Sequence, residues 1–302
     1  MDNISVMAML FAIVCLGFVA ARLGYMGGEF DRRLSALVVD ITSPALILSS
    51  TMGDSQPDRE LILPLLAISV VSYIVLTGAA ILLSRVLTHS ESERGVIGFA
   101  LLFGNVGFIG YPVVATLFGH EAVFYAAILN VVNTLWVFTV GRVLITGGRL
   151  RSSFRWRVLL SPSMVAAYLG MAIVALDISN VSHVVSTPLT MVGNITVPAA
   201  LMIIGSSMGQ LPLRQMLGNR LVFSVAMLRL FFLPVLLLPL CSALGFAPLV
   251  VSVNTVILAM PVATFGTIFC LRYGRDATLM TELTFITTLL SIATIPIVAL
   301  LL

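Results

Sequence analysis

Apolar residues run along this 302-residue chain in long blocks, separated by short polar connections rich in arginine. A helix that crosses a bilayer needs about 20 mostly apolar residues. Ten blocks meet that length: 4–24, 34–53, 61–84, 95–118, 121–145, 158–176, 187–209, 221–244, 248–271 and 277–300. The second, fourth, seventh and ninth carry proline or glycine in their interior. The pattern predicts an all-α polytopic membrane protein with ten transmembrane helices, four of them interrupted.

Composition fits that picture. The chain is 59% hydrophobic and 10% charged, whereas a soluble domain of this size carries roughly a quarter charged residues. Such a chain cannot cover a water-facing surface, so lipid is its expected solvent. All 16 basic residues are arginine, and their placement speaks to topology and not to nucleic acid. Fourteen fall in the connections 1–2, 3–4, 5–6, 7–8 and 9–10: Arg22, Arg32, Arg33, Arg85, Arg94, Arg142, Arg149, Arg151, Arg155, Arg157, Arg214, Arg220, Arg272 and Arg275. The opposite connections hold Arg59 alone, and Arg229 falls inside a span. Basic residues collect on the cytoplasmic side, which puts both termini outside a bacterial inner membrane. The N-terminal MDNIS has an acid where a secretory signal would be basic, so the first span is expected to be retained.

The chain also repeats. DITSPA (Asp40 to Ala45) and NITVPA (Asn194 to Ala199) share four of six residues and lie 154 positions apart, each in the second span of its half. FGHEA (Phe118 to Ala122) and YGRDA (Tyr273 to Ala277) lie 155 apart, each between the fourth and fifth spans. Two matches at nearly one offset argue for duplication, with residues 1–150 as the first five-helix repeat and 151–302 as the second. An odd number of spans per repeat forces the copies into opposite orientation. Inverted repeats belong to secondary transporters, with the binding site near the midplane.

The fourth span contains GNVGFIGYP, Gly104 to Pro112. Each interior glycine costs a helix about 1 kcal/mol relative to alanine, and a proline about 3. Small residues for close helix packing explain the glycines; they do not explain Pro112 or a buried Asn105. An unwound segment lining a cavity explains all three. In the ninth span MPVATFG (Met260 to Gly266) supplies Pro261, Thr264 and, 154 residues beyond Pro112, Gly266. Breaks in both helices leave backbone N–H groups and positive dipole ends that suit an anion, most simply a carboxylate.

GNVGFIGYP with the following LFG, the MPVATFG segment and the closing TTLLSIATIP resemble the auxin efflux carrier family. That family includes plant auxin exporters and bacterial permeases assigned to malate, malonate and related acids. The resemblance covers essentially the whole chain, and the fourth-span motif is its most specific part. It implies the fold of bile-acid symporters: two inverted five-helix repeats, a scaffold and a transport domain each assembled from both repeats, and fourth and ninth helices crossing at their breaks. It implies carboxylate cargo near that crossing, with Asn105 and Pro112 in substrate and crossover roles. The second crossover proline of the plant exporters is Gly266 here, a departure from the family pattern.

The site expected on these grounds comprises Asn105, Gly107, Gly110, Pro112, Pro261, Thr264 and Gly266. Asp40, Arg229 and Glu282 also lie within spans, about 8–12 Å from the cytoplasmic ends at 1.5 Å per residue. Intramembrane charges are functional or partnered: Asp40 or Glu282 as proton carrier and Arg229 as substrate counter-ion, or Arg229 snorkelling or paired with an acid. Sodium coupling is less favoured: the resemblance to bile-acid symporters implies an acidic sodium ligand in the ninth helix, and the span from Pro248 to Leu271 has no acid. GSSMG (Gly205 to Gly209) fits the nucleophile pattern G-x-S-x-G. It ends an apolar helix and lacks a strand-to-helix elbow, so helix packing is its expected role and no enzyme is expected. No cofactor or metal motif occurs. The expected partners are a small organic anion and the lipid bilayer, with proton coupling and a homodimer left open. The rival to a carrier is a channel or sensor of transporter-like fold.

Overall fold

The computed structural model describes residues 3–52, 57–147, 159–178, 181–210 and 220–302, and the described residues are helical nearly throughout. In chain order the helices are α1 (Asn3–Arg22), α2 (28–49), α3 (Ile62–Leu87), α4 (Glu91–Leu102), α5 (Val106–Phe118), α6 (Ala122–Thr146), α7 (Pro162–Ala175), α8 (His183–Gly193), α9 (Thr196–Gln210), α10 (Arg220–Ala243), α11 (Pro248–Leu258), α12 (Phe265–Arg272) and α13 (Thr278–Ala299). Each of the ten apolar blocks falls on one helix or on a consecutive pair. The fourth, seventh and ninth blocks are the pairs α4/α5, α8/α9 and α11/α12. Among the described residues five helical segments are long and apolar enough to cross a membrane: Arg59–Leu87, Ala122–Thr146, His183–Gln210, Arg220–Ala243 and Thr278–Ala299. Arg149, Arg151, Arg155, Arg157 and Arg214, and the expected repeat boundary at 150/151, lie outside the described residues.

Among the described residues four helices contain a widened π turn: Val38–Thr42 in α2, Val106–Gly110 in α5, Val137–Gly141 in α6 and Leu228–Phe232 in α10. Three of these turns are followed, two residues on, by a proline: Pro44, Pro112 and Pro234. The proline has no N–H to give, and its ring presses on the carbonyl four residues back. Opening that turn is one way to relieve the clash. The helix continues through bonds reaching five residues back, Ser43 N–H to Val38 O and Leu233 N–H to Leu228 O. The interruption expected in the second block is thus a bulge in a continuous helix.

The chain divides into two compact units, each drawn from both halves of the sequence. The first comprises Met1–Leu65, Val106–Asn130 and Leu159–Pro212. Its closest helix pair is α1 with α9. Gly17 of α1 lies against the backbone of Met202, and Gly205 of α9 against the backbone of Val14. The GSSMG segment therefore serves helix contact, as its small residues suggest. Beside it Met26, Val38, Ala199, Ala200 and Ile203 form an apolar core. Thr42 and Thr196, the third residues of the two hexapeptides, are fully buried and bonded to each other, Thr196 Oγ1 donating to Thr42 Oγ1 at 2.9 Å.

The same unit holds a buried acid that the sequence did not flag. Asp31 accepts from Gly27 N–H (3.0 Å), Ser206 Oγ (2.5 Å) and Gln210 Nε2 (2.9 Å), tying the start of α2 to α9. In the connection after α5, His120 Nε2 lies 3.0 Å from Ser49 Oγ. Burial holds the His120 pKa below the ordinary histidine value of 6.5, against the opposing effects of Ser49 and Glu121. The unfolded chain therefore binds this proton more readily than the fold does. His120 contributes stability above pH 6.5 that is lost as the pH falls below it. Melting temperatures between pH 5 and 7.5 should fall less steeply on acidification in His120→Gln than in the wild type; equal slopes would remove His120 as a contributor.

The second unit comprises Leu66–Asn105, Val131–Val158 and Leu213–Leu302. Asn254 Nδ2 donates to Ser72 Oγ at 3.0 Å, joining α11 to α3. Tyr73 Oη donates to Asn133 Oδ1 at 2.7 Å, joining α3 to α6. An aromatic cluster of Phe99, Phe103, Phe138, Phe265 and Phe269 fills the space between α4, α6 and α12. Large apolar side chains such as Leu63, Leu82, Val184 and Leu236 stand exposed on the helices, the surface that lipid covers and water does not.

Candidate functional site

The second unit contains the place where the two broken helices meet. Helix α4 ends at Leu102, and Phe103 is extended (φ −114°, ψ 121°). Helix α11 ends at Leu258, three residues before Pro261, which disfavours helical backbone at Met260. The two non-helical segments pair antiparallel at Gly104 and Val262. Asn105 N–H donates to Pro261 O (2.8 Å) and Ala263 N–H to Phe103 O (3.0 Å). Val262 N–H donates to Thr287 Oγ1 of α13 (3.0 Å). Unwound backbone within a span must find partners, and here each break supplies them to the other.

Gly104 is fixed by its neighbours. A Cβ at that position would collide with Arg229 Nη2 and lie 3.1 Å from Met260 Cβ. Arg229 stands on the π turn of α10 and is 1% exposed, so it does not snorkel. Its Nη1 donates to the carbonyls of Leu101 (3.2 Å) and, more weakly, Leu102 (3.5 Å). Those are last-turn carbonyls of α4, left without intrahelical donors by the break. A cation there also meets the negative end of the helix dipole. Among the described residues Arg229 has no acidic partner.

The sequence-derived residues separate as follows. Asn105 and Pro261 are joined by the backbone bond at the crossing. Asn105 is half-buried, and its side-chain amide makes no hydrogen bond among the described residues. Thr264, exposed, immediately precedes α12 and makes no cap bond with its side chain. Gly266 is a packing residue: a Cβ there would lie 2.5 Å from Met280 Sδ and 2.8 Å from the Phe99 ring. The crossing joins Gly104 with Val262, Asn105 with Pro261 and Phe103 with Ala263; Pro112 and Gly266 take no part in these bonds.

Gly107, Gly110 and Pro112 continue from the crossing into α5, within the first unit. Gly107 has open space around it, its nearest neighbour being Asn130 Nδ2 at 3.8 Å from an added Cβ. That amide donates to Tyr111 Oη at 2.8 Å. Asp40 is exposed on the π turn of α2, and Glu282 is half-buried near the start of α13; neither is at the crossing segments. Sequence reasoning passed over Tyr73, Tyr111, Asn130 and Asn133. Their signal was available as polar residues inside apolar blocks.

Comparison with known proteins agrees with this architecture. The sequence model of the family described as "Membrane transport protein" matches residues 3–154 and 148–299. A protein of Methanothermobacter thermautotrophicus named "Uncharacterized transporter" is 27% identical over 289 residues, covering 94% of this chain and 93% of its own. A protein of Rhizobium meliloti named "Putative malonate transporter" is 23% identical over 303 residues, covering 94% of this chain and 91% of its own. With its two broken helices joined at Gly104 and Val262 and family matches running along nearly its whole length, the chain belongs to the membrane transport protein family, that of the auxin efflux carriers.

Proposed function

We propose that this protein is a secondary carrier that moves small organic anions, carboxylates first among them, across the bacterial inner membrane by alternating access. The observation that carries the reading is the crossing of α4/α5 with α11/α12. It sets an unpartnered side-chain amide, Asn105, in a segment whose own backbone is already satisfied. Half-buried and with no bond of its own among the described residues, that amide is open to a ligand, and a carboxylate oxygen is the partner an amide donor takes. The helix that starts one residue later, at Val106, adds free N–H groups and a positive dipole end. The name of the Rhizobium meliloti relative points to the same cargo class.

Two features support inverted repeats of five spans, and the arginine placement supports termini on the outside. Thr42 and Thr196 occupy equivalent positions in the two hexapeptides and touch each other, as residues on a twofold axis between copies do. The paired bonds of Asn105 and Ala263 at the crossing are reciprocal in the same sense. The unit that holds the crossing is the transport domain in this reading, and the unit built on α1 and α9 is the scaffold.

Proteoliposomes test the function. The purified protein should take up labelled malonate saturably and show counterflow when preloaded. Asn105→Ala, at normal expression and melting temperature, should lose roughly tenfold in uptake, about the worth of one charge-assisted hydrogen bond. Non-saturating flux without counterflow would favour a channel. Unchanged uptake in Asn105→Ala would displace the site from the crossing.

A further inference from the structure

Arg229 leaves three of its five N–H donors without a partner among the described residues. A guanidinium has five N–H groups in one plane. Nη1 is engaged by Leu101 and Leu102, while Nε and Nη2, both sealed from solvent, have no hydrogen-bond partner among the described residues. The Nε–H and the adjacent Nη2–H lie along one edge of the plane and point the same way. That edge fits the two oxygens of a carboxylate as a bidentate pair. It belongs to a cation inside a membrane span with no acidic partner among the described residues, an arrangement that is costly and marks function.

Its position gives the edge a target. Gly104, the residue at which the broken helices pair, is the only kind that admits Nη2 so close to the crossing backbone. The engaged edge holds the end of α4, so the free edge is fixed in place by the same side chain that braces the break. We infer that the Nε–Nη2 edge of Arg229 is the docking fork for one carboxylate of the transported anion, engaged when the crossing opens to admit it. This rests on the carrier reading and sharpens it. Arg229 is the sole basic residue inside the ten apolar blocks away from their ends. One carboxylate is therefore read by charge, and the rest of the cargo is read by neutral groups such as Asn105 and Thr264. A substrate with no ionised carboxylate is not carried.

The test is binding to the purified full chain in nanodiscs, with malonate as the charged probe and malonamide as its neutral isostere. Wild type should bind malonate and not malonamide. Arg229→Gln should lose malonate affinity at least a hundredfold. Arg229→Lys, which keeps the charge and loses the fork, should lose roughly tenfold while its ligand-free melting temperature stays near the wild type. That second variant decides the matter if the first does not fold. A purely structural brace would lower the ligand-free melting temperature and leave the malonate-to-malonamide preference intact; that result, or unchanged affinity in a folded Arg229→Lys, overturns the inference. If wild type binds neither malonate nor any acid in a panel of mono- and dicarboxylates, the carrier reading fails and the inference falls with it. If wild type binds and the variants bind equally, the inference alone falls.

Discussion

Gly205→Val should all but abolish recovery of folded protein. Gly205 of α9 faces Val14 of α1 so closely that an added Cβ would overlap the Val14 carbonyl oxygen and lie 2.8 Å from the Phe18 nitrogen. Both obstacles are backbone, and neither can rotate away. The helices would have to part, and the parting would reach the reciprocal contact of Gly17 with the Met202 backbone. Overpacking costs about 1–3 kcal/mol even where side chains can yield. In lipid the loss has no hydrophobic compensation, because tails solvate leucine as well as another helix does and association rests on close packing. If α9 is the helix that moves, Ser206 and Gln210 are also drawn from Asp31 of α2, leaving a buried carboxylate without two of its donors. Fluorescence-detected size-exclusion chromatography of a tagged protein reads the outcome as loss of the monodisperse peak. Gly17→Ala combined with Gly205→Ala should cost less than the sum of the single changes, since one separation serves both. A Gly205→Val protein as abundant and heat-stable as wild type would show that α1 and α9 do not pack as described.

Much of this fold was legible in the sequence because lipid makes a crude demand. Twenty apolar residues in a row announce a helix, and each of the ten blocks lies on helical segments. The breaks in the fourth and ninth blocks were legible too, since Gly104 and Pro261 carry known penalties in a helix interior. Other features depended on information the local sequence does not hold. Asp31 sits in GEFDRR, a stretch that reads as a solvated charge cluster. Only the approach of α9, some 175 residues later, buries it against Ser206. The crossing is another case: the sequence marks two breaks, but only the folded chain shows that Gly104 faces Val262 and that Asn105 bonds Pro261. For Arg229 the sequence offered snorkelling, an acid or a substrate. It had no means of showing that the first partners are carbonyls 127 and 128 positions away, freed by a break in another helix.

The bond from Arg229 to the end of α4 ties stability to function. Gly104→Val should leave protein that reaches the membrane yet cannot transport. The new side chain enters the space of Arg229 Nη2 and crowds Met260, whose Cβ lies 3.1 Å and whose carbonyl oxygen lies 3.2 Å from the added Cβ. Met260 Cβ is anchored by the crossing itself, so the guanidinium must give way. Arg229 cannot retreat to water, being 1% exposed and about two helical turns from the start of α10. If it withdraws, the carbonyls of Leu101 and Leu102 lose their donor and the break in α4 is no longer braced. An unpaired buried polar group costs about 1–3 kcal/mol, and more when charged. The helices of the second unit remain joined elsewhere, through Asn254 with Ser72 and Tyr73 with Asn133, so the damage should centre on the crossing. Gly104→Ala should show the same defect at smaller amplitude. Malonate uptake in proteoliposomes should fall at least a hundredfold for valine and about tenfold for alanine, with the melting temperature lowered in the same order. Limited proteolysis should show new cleavage near residues 103–105, where the bridge to Val262 has opened. Wild-type uptake in a Gly104→Val protein would mean that the close approach of Arg229 to the crossing has no part in transport.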